Sequence, residues 1–116
     1  MTGKPRRTMK RAGLAHAAPL FAALGDRTRL ALVLRLGSTG PLSIAQLAAG
    51  SEVSRQAITK HLQVLDDAGL VRSARHGRER IWQVEAERLD EVRRFLDLVS
   101  GQWDDALGRL KTFVEK

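Results

Sequence analysis

Between Ser54 and Leu65 the chain sets Arg55, Gln56, Thr59, Lys60 and Gln63 one, three or four residues apart, with no Asp or Glu among them. Positions three and four apart share a helix face, so this spacing predicts one face crowded with hydrogen-bonding groups and two cations. Arg offers a planar fork of donors, Gln both donates and accepts, and Thr does either. That chemistry suits base edges in a major groove, where Arg matches guanine and Gln matches adenine. Ala57, Ile58, Leu62 and Leu65 fall on the other face and are apolar, so one side can be buried while the other stays free. Ser54 stands at the cap position, and the first backbone N–H groups of such a helix can receive a phosphate. His61 is grouped with the polar face as a further contact. A merely solvated face is the competing reading, but such faces ordinarily mix both signs of charge.

A second basic cluster follows. Arg75, His76, Arg78 and Arg80 lie within six residues, with Glu79 as the only acid. On a hairpin tip these side chains would reach a phosphate or a minor groove. Charge on a strand edge also discourages strand-to-strand aggregation, although that role needs fewer groups. Catalytic chemistry finds no comparable footing. We find no paired carboxylates, no nucleophile beside a base and no phosphate-binding glycine loop. The chain has no cysteine, and its histidines, at 16, 61 and 76, show no ligand spacing. The expectation is therefore no enzyme, no metal site and no cofactor.

The elements needed to carry these groups are legible in the periodicity. Leu14–Leu24 reads as a short helix, with Pro19 tolerable only in its first turn or at a kink. Gly25 ends it and Asp26 caps a helix over 27–36, whose predicted inner stripe is Leu30, Val33 and Leu34. Residues 37–41 read as a loop. Ser43 and Gln46 have capping-box spacing and open a helix over 44–49, and Gly50 supplies the turn into the Ser54–Leu65 helix. After Gly69 the period falls from 3.6 to 2. Leu70–Arg75 and Glu79–Val84 are predicted strands joined across residues 76–78, with Trp82 and Val84 facing the core. The last segment, 86–114, returns to helix.

The order helix-helix-helix-helix-strand-strand-helix defines the expected fold class: mainly α, a winged helix-turn-helix with a long C-terminal helix. Residues 1–13 are expected to be a disordered basic tail, 14–84 the winged domain and 85–116 a dimerisation helix. The tail and the apolar stretch behind it look superficially like an export leader, but His16 and Pro19 interrupt that stretch. No apolar run reaches the roughly 18 residues of a membrane span.

Of the 116 residues, 20 are Lys or Arg and 13 Asp or Glu, a formal net charge of +7. The excess sits in residues 1–84, while 85–116 carry a small acidic surplus. A basic body with an acidic end implies a polyanion at one end and a different partner at the other. In the last helix Leu89, Val92, Leu96, Val99, Trp103, Leu107 and Leu110 alternate at three and four residues, close to a coiled-coil seam. That seam is longer than one small domain can cover, so these residues, with Leu20 of the first helix, are expected at a homodimer interface.

Leu20 to Leu30, Ser54 to Leu65, Ala68 to Val71 and Gly77 to Trp82 together resemble the arsenic-resistance-repressor (ArsR) family. The likeness covers about residues 14–114. It implies a homodimeric repressor acting on an inverted-repeat operator in double-stranded DNA, in the cytoplasm at the nucleoid. By that resemblance Gln56, Thr59 and His61 match positions that face bases, and the wing arginines match phosphate contacts. Two departures matter. Residues 44–49 hold no cysteine and 86–116 no histidine, so the family's metal sensing is not expected, and Arg27 replaces the family's proline after the aspartate. The likeness is to a cysteine-free branch, and the small-molecule inducer is unknown. An RNA-binding winged helix and a protein-interaction module stay open as alternatives.

Overall fold

The computed structural model describes residues 11–115, and within them five helices and three strands follow in order. Helix α1 (Arg11–Leu24) leads to α2 (Arg27–Thr39), β1 (Leu42–Ser43), α3 (Ile44–Ala48) and α4 (Arg55–Asp67). Strands β2 (Val71–His76) and β3 (Glu79–Val84) form a hairpin, and α5 (Ala86–Glu115) closes the chain. The winged helix-turn-helix order is present. The expected basic tail lies outside the described residues over 1–10, while 11–13 belong to α1 rather than to a tail.

The local signals explain most boundaries. Asp26 caps α2 by accepting from the backbone N–H groups of Thr28 at 2.9 Å and Arg29 at 3.1 Å. Ser43 and Gln46 form the reciprocal capping box: Ser43 Oγ accepts from the Gln46 N–H at 3.1 Å, and Gln46 Oε1 from the Ser43 N–H at 2.9 Å. Gly69 ends the approach to the wing with φ +80°, a backbone state that side chains with a Cβ avoid.

Three expectations need correction. Helix α1 starts at Arg11 rather than Leu14, so Pro19 is its ninth residue and the first-turn alternative falls away. Helix α2 runs through Gly37 to Thr39, and it buries Leu32, Val33 and Leu36 while Leu30 and Leu34 stay exposed. With leucine at 30, 32, 34 and 36 the sequence supplies apolar residues around most of this helix. Packing against its neighbours, not periodicity, then chooses the inner face. Finally, the sheet has three strands rather than two, in the order β1-β3-β2, all antiparallel. β1 is only two residues long and pairs Leu42 with Trp82 and Ser43 with Ile81.

One core unites the domain. Leu20, Leu36, Leu47, Ile58, Leu62, Leu65, Leu70, Val71, Trp82 and Val92 pack into a single buried cluster, with Val84 and Leu89 against it. Every element except the distal part of α5 contributes. The molecule is consequently elongated, 63 × 34 × 22 Å, because α5 alone spans about 45 Å at 1.5 Å per residue.

Candidate nucleic-acid interface

Helix α4 is oriented by its apolar face. Ile58, Leu62 and Leu65 are buried, and Ser54 Oγ caps the helix through the Ala57 N–H at 3.1 Å. Successive residues turn by about 100°, so burying that arc drives Arg55, Gln56, Thr59, Lys60 and Gln63 to the solvent side. All five are exposed, as is Ser54. Thr59 Oγ1 donates to the Arg55 carbonyl at 2.8 Å, and Gln63 Nε2 donates to Asp67 Oδ1 at 3.0 Å. Both side chains therefore lie along the helix surface with their remaining polar capacity outward.

His61 is the exception. The sequence groups it with the polar face, but one step beyond Lys60 the helix has turned back toward the protein. Its side chain is only 25% exposed and sits against the start of α2, with Nδ1 3.4 Å from Arg29 Nη1 and 3.8 Å from Asp26 Oδ2. Neither Asp26 nor Arg29 stood among the candidate site residues. The signal available was the Asp-x-x-Arg spacing at a helix start, which by itself says nothing of a neighbour on another helix. Asp26 is held below the usual carboxylate range, chiefly by the Arg29 N–H, with the Arg29 and His61 side chains adding to the effect.

The wing presents its cations at the tip. Gly77, with φ +63°, and Arg78 form the two-residue turn between the facing pairs His76–Glu79 and Arg75–Arg80. Positive φ in a two-residue hairpin turn matches the twist of the strands it joins. Arg75, His76, Arg78 and Arg80 are all exposed, and Arg80 Nη1 also donates to Ser73 Oγ at 2.8 Å. Arg75 and Arg80 face one another across the ladder, an arrangement that like charges disfavour unless an anion lies between them.

The distribution of ion pairs separates two kinds of surface. Among the described residues, Arg55, Lys60, Arg75, Arg78 and Arg80 have no acidic partner. On α5, by contrast, Arg88 meets Glu91 at 3.5 Å, Arg93 meets Asp90 at 2.6 Å and Asp97 at 3.4 Å, and Arg94 meets Asp90 at 3.1 Å. The Arg93 hydrogen bond holds the Asp90 carboxyl below its usual range and pushes the Arg93 guanidinium above its own. The proximal part of α5 is internally neutralised, and on the wing Arg72 at the base pairs with Glu85 at 3.6 Å while the tip and the outer face of α4 are left without such partners among the described residues.

The expected interface residues split. Leu20 and Val92 are 3% and 8% exposed within a single chain. They belong to the chain's own core and would offer a partner almost no surface. Leu89 and Val99 are half-buried, while Leu96, Trp103, Leu107 and Leu110 are exposed. Phe113, which lies outside the expected set, is 75% exposed. Phe95 packs on Phe21 of α1 with ring centroids 5.3 Å apart, and it marks where α5 leaves the domain. Among the described residues no group of three or more His, Asp or Glu could hold a metal ion. No helix there is long and apolar enough to cross a membrane.

Comparisons with known proteins agree with this geometry. Residues 24–74 match the family HTH_20, a helix-turn-helix domain. The HTH-type transcriptional regulator Rv2034 of Mycobacterium tuberculosis is 43% identical over 77 residues, covering 66% of this chain and 71% of that protein. Among solved structures, an ArsR-like transcriptional regulator from Rhodococcus sp. RHA1 superposes with a TM-score of 0.75 at 37% identity, covering 92% of this chain and 97% of that one. A homodimeric winged helix-turn-helix DNA-binding domain from Mycobacterium bovis shares the fold at 24% identity and a TM-score of 0.64, covering 88% and 92%. With α4 capped and half-buried, the wing joined through β1 to the start of α3 in one sheet, and relatives of this closeness, the chain belongs to the ArsR-like family of winged helix-turn-helix transcriptional regulators.

Proposed function

We propose that the protein is a homodimeric repressor that occupies an inverted-repeat operator in double-stranded DNA. The observation that carries this reading is the set of unneutralised cations on α4 and the wing tip, set against the paired Arg88, Arg93 and Arg94 of α5. α4 enters the major groove, where Arg55, Gln56, Thr59 and Gln63 meet base edges. Lys60 and the N–H groups behind Ser54 take phosphates, and Arg75, Arg78 and Arg80 hold the flanking backbone or minor groove. A second copy covers the exposed part of α5. Two-fold symmetry then sets the recognition helices in successive major grooves, about 34 Å apart. The setting for such a regulator is the cytoplasm, at the nucleoid.

Duplex DNA is favoured over duplex RNA because the A-form major groove is too deep and narrow for a helix to read. The test is selection of bound duplexes from a random pool, with duplex RNA as competitor. Recovery of an inverted repeat whose preference relaxes at defined positions in Gln56→Ala supports the reading. Equal affinity for all duplexes at moderate salt, or effective competition by RNA, overturns it.

A further inference from the structure

Burying Ile58, Leu62 and Leu65 decides which side of α4 faces the protein, but it fixes the helix's rotation about its own axis only loosely. Apolar contact is non-directional, whereas reading a base edge is not. At a side-chain radius of about 5–6 Å, a rotation of roughly 15° moves a side-chain tip by about 1.5 Å, enough to spoil a bidentate hydrogen bond. A directional contact on the buried flank of the helix would remove that freedom.

His61 is placed to make one. A guanidinium has donors and no acceptor, so Arg29 can engage Nδ1 at 3.4 Å only while that nitrogen carries a lone pair, which leaves the ring proton on Nε2. Arg29 is itself anchored twice. Its Nε donates to the Ala23 carbonyl at 2.6 Å, in the last turn of α1, and its backbone N–H donates to Asp26 Oδ2 at 3.1 Å. Asp26 in turn holds the Thr28 N–H at 2.9 Å. The end of α1, the cap of α2 and the middle of α4 are thereby tied at a single point, on the side of α4 away from Arg55, Gln56 and Thr59.

We propose that His61 is a positioning residue. By accepting from Arg29 it locks the rotation of the recognition helix against α1 and α2, and so sets the register in which the reading side chains meet the bases. The proposal rests on α4 being the DNA-reading helix. His61 itself reads no base. The same strap gives α1 a mechanical path to the reading face, through Ala23 and Arg29.

The experiment uses the full chain and a duplex recovered by selection with the unaltered protein. His61→Ala, His61→Asn and Arg29→Met are compared for helix content, for affinity to the selected duplex and for affinity to an unrelated one. Asn carries an acceptor oxygen near the place of Nδ1. Expected is a loss of selected-over-unrelated preference by about ten- to a hundredfold in His61→Ala and Arg29→Met, the equivalent of one or two bidentate base contacts, with helix content retained. The double variant loses no more than either single one, and His61→Asn recovers most of the preference. Nitrogen chemical shifts of the His61 ring report the Nε2–H tautomer in the unaltered chain and change in Arg29→Met. Unchanged preference in His61→Ala, or relaxation confined to one base-pair position, overturns the positioning role alone. Failure of the unaltered chain to select any sequence overturns the underlying reading with it.

Discussion

Leu42 of β1 lies directly opposite Trp82 of β3. Through this pair the residue just before the cap of α3 is built into the wing, so the wing and the helix-turn-helix share one sheet. Both side chains are buried, and the Trp82 indole N–H has no hydrogen-bond partner among the described residues. Its contribution is therefore volume, and Trp82→Ala is expected to cost about 3–5 kcal/mol of stability. Urea denaturation measures this. A loss below about 1 kcal/mol would show that the wing does not depend on the shared sheet.

Gly69 joins α4 to β2 with φ +80°, and a Cβ built there would stand 3.2 Å from Arg88 Nε. The guanidinium can swing away, but the backbone cannot. Gly69→Ala is expected to destabilise the fold by about 1–2 kcal/mol, the cost of a left-handed conformation for an L-residue. Adding Arg88→Ala will not restore the loss if backbone strain dominates. Thermal melts of the single and double variants decide between the two causes.

Arg78 sits at the turn of the wing, exposed and without an acidic partner among the described residues. Its substitution by alanine should weaken binding by a similar factor for every sequence and lower the salt-dependence slope by about one. A change confined to particular base pairs would make Arg78 a reader rather than a phosphate contact. Titrations at several salt concentrations on two unrelated duplexes give the answer.

Asp26 carries a prediction about pH. Its pKa in the folded chain lies below the ordinary 3.8, first because the Arg29 N–H bonds the carboxylate. A depressed carboxyl contributes stability that is complete above its unfolded value and is lost as pH falls through the folded one. Stability should therefore drop less steeply below about pH 4 in Asp26→Asn, which keeps a capping side chain but does not titrate. Parallel urea midpoints between pH 2 and 6 would expose an equal dependence and so refute it.

Trp103 is 66% exposed on the distal half of α5, where Leu107, Leu110 and Phe113 are exposed as well. Gly101 and Gly108 weaken that half further, and short isolated helices are marginal in water. Trp103→Glu combined with Leu110→Glu is expected to leave the domain folded but to lower the sedimenting mass toward that of one chain, 12.8 kDa. Unchanged mass would place the dimer contact elsewhere.

The amino-acid sequence by itself determined the order of the five helices and the hairpin, the caps at Asp26, Ser43 and Ser54, and the turn glycines at 69 and 77. These depend on residues close in the chain, where hydrogen-bonding reach and backbone freedom are local properties. It also determined that Arg55, Gln56, Thr59, Lys60 and Gln63 share an outer face, because one helix carries both that face and its apolar opposite. Only the tertiary structure decided matters that turn on a neighbour. Leucines surround much of α2, so its contacts chose Leu32, Val33 and Leu36 over Leu30 and Leu34. β1 is too short to show a period and exists because β3 runs beside it. Leu20 and Val92 look no different in sequence from Leu96 or Trp103, yet packing of α1 against α5 encloses the first pair and leaves the second pair outside. His61 turned on one further step of a helix and on an arginine 32 residues away. Periodicity states which residues share a face, and burial states what that face meets.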